Sequence, residues 1–96
     1  MECKFPLGQP LASLSVLELC KYTAIDLGPF FERHRSGDWG DVSSELAEKN
    51  SLALDEGGAV LSVFHPHNRR IWIITNEERT QTVAMLPTDS AFPLLA

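Results

Sequence analysis

The chain has 96 residues, 44% of them hydrophobic and 22% charged, a balance that excludes a disordered chain and predicts a single globular domain, 1–96. Its 13 acidic and 8 basic side chains give a formal net charge of −5, which disfavours nonspecific binding to nucleic acid. The N-terminal residues lack a basic start followed by an apolar run, so we expect a cytoplasmic protein without membrane contact.

The N-terminal segment, residues 1–12, carries prolines and a glycine that interrupt a hydrogen-bonded ladder. It is therefore predicted as an extended arm or an edge strand. The helical part, residues 13–57, begins with apolar residues at helical spacing, which Ser13 or Ser15 can cap. This first helix is predicted to end before Gly28-Pro29, because glycine supplies a left-handed terminus and proline cannot continue a helix.

Two further helices complete the helical part. The second is short and is predicted to end at Ser36-Gly37, just before the sharpest turn signal in the chain, Asp38-Trp39-Gly40-Asp41. An apolar stripe predicts the third helix over residues 42–56, which Asp41 or Ser43 can cap, with Asn50 on its apolar side. Because a buried amide needs partners, we expect Asn50 to bind the turn at 37–40 or, alternatively, to point into a site.

The C-terminal part, residues 59–86, predicts an antiparallel meander. Its three runs of strand-forming residues, 59–65, 70–75 and 80–86, are separated by short polar loops. The fold class is therefore α+β, with N-terminal helices packed on a three-stranded antiparallel sheet, or a four-stranded one if the N-terminal segment joins it. Residues 87–96 are predicted as a tail that adds a final turn or docks on the core.

Several short motifs together resemble a family of small uncharacterised proteins from plasmids and other bacterial mobile elements. They are Phe5-Pro6-Leu7-Gly8-Gln9, Arg33-His34-x-Ser36-Gly37-Asp38-Trp39-Gly40-Asp41, Glu48-x-Asn50, Ala53-Leu54, Ile71-Trp72-Ile73-Ile74-Thr75 and Arg79-Thr80-x-Thr82 with Leu86-Pro87. The resemblance covers residues 5–87. Members are often labelled type I restriction enzyme M subunits, but this sequence lacks the cofactor loop and catalytic motif of a DNA methyltransferase.

The resemblance implies a mobile-element accessory protein, a class that includes inhibitors of host defence and toxins. Together with the acidic balance and the lack of a convincing catalytic set, it favours a protein that acts by binding another protein. Its most concrete version is inhibition of a host defence complex, of the anti-CRISPR or anti-restriction type. The predicted contact surface is the acidic side of the third helix together with a basic hairpin: Glu45, Glu48, Asp55, Glu56, Arg69 and Arg70. A homodimer is left open, because the strand at 71–75 is apolar on both sides and needs two covered faces.

The alternative function is a small ribonuclease or toxin, for which His34, Arg79 and Thr82 are the candidate catalytic residues. Displayed on a small sheet behind helices, they match the layout of metal-independent ribonucleases of the barnase, colicin and RelE group. In the competing structural interpretation, which we favour, His34 forms a hydrogen bond with a helix end and Arg79 forms an ion pair with Glu77 or Glu78. No catalytic residue, cofactor or metal site is assigned, since His65-x-His67 lacks the spacing of a zinc site.

Overall fold

The computed structural model describes residues 3–88, which form an α+β fold. Its elements are β1 (Gln9–Ala12), α1 (Leu14–Thr23), α2 (Gly28–Arg35), α3 (Ser44–Glu56), β2 (Val60–Phe64), β3 (Ile71–Thr75) and β4 (Gln81–Met85). A single 3₁₀ turn, Pro66–Asn68, joins β2 to β3. The predicted fold class is thereby confirmed, and the part of the predicted tail from position 89 onward lies outside the described residues.

The strands form one sheet in the order β1-β4-β3-β2. Strands β2, β3 and β4 make the predicted antiparallel meander. The expectation of a purely antiparallel four-stranded sheet is wrong for β1, which lies at the edge and runs parallel to β4, with Gln9 opposite Gln81. The physical reason is the connection: three helices separate β1 from the meander, and a crossover of that length permits parallel pairing.

The sheet buries one face under the helices. On this face, Val16 of α1 packs with Phe64, Ile71, Ile73 and Ala84 of the strands. A second cluster, formed by Phe5, Trp39, Ala53 and Val60, joins the N-terminal segment and α3 to the end of β2. The strand residues of both clusters lie on the same face of the sheet, since they occupy alternate positions of paired strands.

Serine side chains cap two of the helices, as the sequence predicts. Ser13 accepts a hydrogen bond from the Val16 amide at the start of α1, and Ser43 does the same for α3. Helix α1 ends before Gly28-Pro29, as predicted, but Gly28 does not supply its left-handed terminus. The helix ends at Thr23 and Ala24 takes the left-handed conformation, with φ 57°, which lets the chain turn Ile25 into the core.

The outer edge of β2 is covered by the turn that contains Trp39, Gly40 and Asp41. The Val63 amide donates to the Trp39 carbonyl at 3.0 Å, and the Asp41 amide donates to the Val63 carbonyl at 2.8 Å. Gly40 has φ +72°, and a Cβ there would collide with the Val63 carbonyl oxygen, so only glycine fits this close approach. The turn thus protects a strand edge that would otherwise be open to pairing.

Candidate functional site

His34 lies at the centre of a hydrogen-bonded network inside the protein. Its side chain has no solvent exposure. Its Nδ1 is 2.5 Å from Ser62 Oγ on β2, and its Nε2 is 2.9 Å from Thr75 Oγ1 on β3. Thr75 Oγ1 is 2.7 Å from Thr82 Oγ1 on β4, and Thr82 donates to the Leu7 carbonyl oxygen at 2.7 Å. We call these four side chains and the Leu7 carbonyl the His34 network.

The hydrogen bonds of the His34 network run in one direction, which follows from counting donors. The single hydroxyl hydrogen of Thr82 goes to the Leu7 carbonyl, which can only accept, so Thr82 must accept from Thr75. Thr75 must then accept from His34, which places the imidazole hydrogen on Nε2. The remaining nitrogen, Nδ1, accepts from the Ser62 hydroxyl. Every polar atom of the network is therefore satisfied with His34 neutral.

The surroundings of His34 keep it neutral. Burial, reinforced by the positive charge of Arg79, lowers the pKa of His34 to about 3. The rings of Phe5 and Trp39 pack edge-on against the imidazole, with centroids at 5.2 Å and 5.7 Å. Protonation would place a hydrogen on Nδ1, where it would face the Ser62 hydroxyl hydrogen that Nδ1 now accepts. The hydrogen bonds of the network therefore agree with this low pKa.

Arg79 donates to backbone carbonyls in the region where α3 ends. Its Nη1 lies 2.7 Å from the Gly58 oxygen and 2.9 Å from the Asn76 oxygen, and its Nη2 lies 3.1 Å from the Ala53 oxygen. The ion pair that we expected with Glu77-Glu78 is not formed among residues 3–88. The reason is that the carbonyls at the end of α3 need hydrogen-bond donors, which Arg79 supplies. An ion pair between Arg79 and the exposed Glu77 or Glu78 would stabilise the fold little.

The candidate catalytic residues His34, Arg79 and Thr82 are thus brought close together, but in the interior. His34 and Thr82 have no exposed surface. A general acid or base has to come within hydrogen-bonding distance of the proton that it transfers. Because His34 is fully buried, the geometry favours a structural role for these residues over a catalytic one, although His34 binds strand hydroxyls and not the helix end that we expected.

The turn motif from Gly37 to Asp41 is held by contacts of its own. The Asp38 carboxylate accepts from Arg33 Nε at 2.7 Å and from the Gly40 amide at 3.1 Å. The hydrogen bond from Arg33 is the main reason that the pKa of Asp38 lies below its usual value. Trp39 is buried and stacks on Phe5, with ring centroids 6.0 Å apart. Each of these side chains therefore has a role in fixing the architecture.

Asn50 is buried, as predicted, but its partner differs from the one expected. Its Nδ2 donates to the Leu61 carbonyl at 2.9 Å, and its Oδ1 accepts from the Leu61 amide at 3.1 Å. The prediction that Asn50 binds the turn at 37–40 is wrong. A side-chain amide carries one donor group and one acceptor like a peptide unit, so Asn50 satisfies a stretch of the β2 edge that the turn does not reach.

The predicted partner-binding residues all lie at the surface. Glu45, Glu48, Asp55 and Glu56 are exposed on α3, and Arg69 and Arg70 are exposed between β2 and β3. At helical spacing the four acids share one side of α3 with Leu52, which is 56% exposed. The structure therefore places an apolar side chain in the middle of the acidic side, a feature that the sequence analysis did not single out.

A second histidine forms a group that the sequence analysis did not predict. His65 Nδ1 lies 2.8 Å from Asp41 Oδ2, and Arg70 Nε donates to His65 Nε2 at 3.3 Å. A guanidinium only donates, so Nε2 carries no hydrogen and Nδ1 donates to Asp41. Arg70 follows His65 by only five positions, whereas Asp41 precedes it by 24 positions and meets it because the turn at 38–41 pairs with β2. A prediction of that pairing would have found the group.

Comparisons with models of protein families, with curated proteins and with solved structures find no match to this chain. Among residues 3–88, no helix has the length and apolar character needed to cross a membrane. The resemblance to the mobile-element family therefore rests on the motifs given above, and the functional case rests on the geometry of the described residues.

Proposed function

We propose that this protein is a mobile-element accessory protein that binds a host defence complex through the exposed side of α3. The observation that carries the proposal is the composition of that side. Leu52, 56% exposed, stands among four exposed carboxylates, those of Glu45, Glu48, Asp55 and Glu56. A shallow cavity of about 400 Å³ lies beside Leu52. We refer to these five residues as the α3 acidic surface.

The α3 acidic surface has the composition of a protein-binding site. Interfaces concentrate their binding energy in a few central apolar or aromatic side chains, while a polar rim excludes water around them. An exposed leucine costs solvation free energy that a partner would recover by covering it. The carboxylates around it select a partner with a basic surface, and the net charge of −5 attracts such a partner at long range.

A defence complex of the anti-CRISPR or anti-restriction target type holds nucleic acid in a positively charged channel. An acidic, compact protein is suited to occupy such a channel in place of the phosphate backbone. The exposed cations Arg69 and Arg70 form the second part of the proposed contact surface. They would meet acidic residues at the border of the channel and fix the orientation of the bound protein.

The ribonuclease alternative has less support from the geometry. A ribonuclease needs a proton-transferring side chain and a cation that both reach the same phosphate. His34 is fully buried in the His34 network, and Arg79 donates to three backbone carbonyls. Neither side chain offers a substrate-facing group, so protein binding is the better-supported function.

The proposal is tested by measuring phage plating on bacteria that carry an active CRISPR or restriction system. Expression of the parent protein is expected to raise the plating efficiency, and the double substitution Glu48→Lys/Glu56→Lys is expected to return it to the level of an empty vector. The matched control is Glu18→Lys/Glu77→Lys, which changes the net charge by the same amount at exposed positions outside α3.

The control variant should retain the activity of the parent. Equal loss in both double variants would show that net charge alone matters and would contradict a role for the α3 acidic surface. Parent expression that leaves plating unchanged against both kinds of defence system would contradict the host-defence target. Toxicity of the parent that His34→Ala relieves, with the domain still folded, would move the ribonuclease alternative to first place.

A further inference from the structure

A groove of about 310 Å³ lies between the start of α3 and the sheet surface that carries Leu61, Val63 and Trp72. These three side chains belong to β2 and β3, where Val63 and Trp72 are directly opposite each other. Leu46 of α3 and Val42 complete the apolar wall. The volume is at the lower end of the range of small-molecule sites, which are mostly apolar with a few polar groups that orient the ligand.

The polar end of the groove is formed by Asp41, His65 and Arg70. His65 accepts from Arg70 Nε and donates to Asp41, so the imidazole fixes the guanidinium at one end and is itself fixed by the carboxylate. The terminal nitrogens of Arg70 have no acceptor among residues 3–88. A guanidinium that is oriented by its Nε and presents two free amino groups is prepared for two parallel hydrogen bonds to a planar oxyanion.

We propose that this groove binds a small organic carboxylate with an apolar body. The carboxylate accepts hydrogen bonds from the terminal nitrogens of Arg70, and the apolar body lies along Trp72, Val63 and Leu46. Because Nε of Arg70 is already committed to His65, the carboxylate meets the guanidinium end-on through the two terminal nitrogens. The aromatic face of Trp72 favours a ligand whose body is a ring or a branched chain.

Asp41 distinguishes between the anions that a guanidinium can bind. Its carboxylate lies in the same polar end, and its charge repels a second negative charge there. A carboxylate carries a single negative charge at neutral pH, whereas a phosphate monoester carries about 1.5 to 2. The groove therefore prefers the carboxylate to a phosphate of the same size.

This site shares Arg70 with the second part of the proposed contact surface, but it does not include the α3 acidic surface. It uses the wall formed by Leu46 and the sheet, whereas the α3 acidic surface lies around Leu52. Loss of the carboxylate site would leave binding through Leu52 and the surrounding acids intact, and loss of that binding would leave the groove intact. The two proposals are thus tested by different variants and different measurements.

The test is titration with 3-phenylpropionate, followed by NMR on the indole N–H resonances of Trp72 and Trp39. With the probe at concentrations up to the order of 10 mM, the Trp72 resonance is expected to shift in a saturable way. The resonance of Trp39 serves as the internal reference, because its ring packs on Phe5 and His34 and does not line the groove. 3-Phenylpropanol and phenyl phosphate are the matched ligands that lack the carboxylate.

Arg70→Gln is expected to weaken 3-phenylpropionate binding about tenfold or more, since it removes a charge-assisted pair of hydrogen bonds. Arg69→Gln is the matched control, because Arg69 is exposed beside Arg70 but does not line the groove, and it should keep the affinity within about twofold. Urea unfolding establishes that both variants remain folded.

Any of four results would overturn the proposal. The first is the absence of a saturable Trp72 shift. The second is equal binding of 3-phenylpropanol, which would leave only an apolar surface. The third is equal weakening by Arg69→Gln and Arg70→Gln, which would leave only diffuse charge. The fourth is tighter binding of phenyl phosphate than of 3-phenylpropionate, which would overturn the assignment of the ligand as a carboxylate.

Discussion

The two hydrogen-bonded histidines, His34 and His65, use the same imidazole chemistry in opposite environments. Both bind a partner at each ring nitrogen, yet His34 carries its hydrogen on Nε2 and His65 carries it on Nδ1. The first is sealed in the core among hydroxyl groups, and the second lies at the surface between a carboxylate and a guanidinium. Access to water, and not the presence of a histidine, therefore decides that a ligand can reach His65 but cannot reach His34.

The largest effect that separates the two sites is expected from truncation to alanine. His34→Ala removes a buried ring, opens a cavity and leaves the Ser62 hydroxyl without its acceptor, so the free energy of unfolding should fall by about 3 to 5 kcal/mol. His65→Ala removes only a half-exposed side chain and should cost about 1 kcal/mol or less. Urea denaturation of the two variants beside the parent measures both values.

Should His34→Ala fail to fold, His34→Gln keeps one donor and one acceptor in the same place and allows the comparison at a smaller loss. Equal costs for the two alanine variants would contradict the division between an interior and a surface histidine. The same result would weaken the inference that the His34 network serves architecture, because a structural network has to contribute to stability.

The second prediction concerns acid pH. The pKa of His34 is about 3 in the folded protein and close to 6.5 when unfolded, so the stability that it contributes is fully present above pH 6.5. As the pH falls from 6.5 towards 3, the unfolded chain takes up a proton that the folded chain cannot, and this stability is lost. The loss between about pH 7.5 and about pH 4.5 should be roughly 2 to 3 kcal/mol.

Denaturation at the two pH values, repeated with His34→Gln, isolates this contribution, because glutamine does not titrate. The part of the pH dependence that belongs to His34 should be absent in the variant. An identical pH dependence in the parent and in His34→Gln would place the acid sensitivity elsewhere in the protein. Nitrogen-15 shifts of the imidazole at neutral pH should also show a neutral ring with its hydrogen on Nε2.

Local sequence signals were sufficient for much of this fold, while the sites depend on long-range pairing. The caps at Ser13 and Ser43, the third helix and the meander follow from patterns within a few residues, which short-range physics determines. Asn50 was recognised as buried, but its partner Leu61 is eleven positions away and on another element. A pattern shows that a side chain needs a partner, and only the packed fold identifies it.

The end of α1 and the direction of β1 illustrate the same limit. Ala24 adopts a conformation that glycine usually takes, because burying Ile25 offsets the local cost. The pairing of β1 with β4 joins residues more than seventy positions apart, and no local signal distinguishes a parallel from an antiparallel edge. Both outcomes follow from tertiary packing, which overrides local propensity.

A smaller effect is expected within the interior network from Thr82→Val. The substitution keeps the shape of the side chain but removes the donor to the Leu7 carbonyl and the acceptor for Thr75, at a cost of about 1 to 3 kcal/mol. Thr88→Val is the matched control on an exposed threonine and should stay within about 0.5 kcal/mol. A cost for Thr82→Val no larger than the control would show that the hydrogen bond to Leu7 contributes nothing to stability.

The smallest effect is expected at the surface site, where Asp41→Asn removes the charge opposite His65. The exposed hydrogen bond between His65 and Asp41 stabilises the fold by about 1 kcal/mol or less. The variant should nevertheless change ligand preference in the groove, because it removes the negative charge that repels a second one, and phenyl phosphate should gain affinity relative to 3-phenylpropionate. A large loss of stability in Asp41→Asn without any change in ligand preference would contradict this prediction. It would show that Asp41 has a structural role, like the residues around His34.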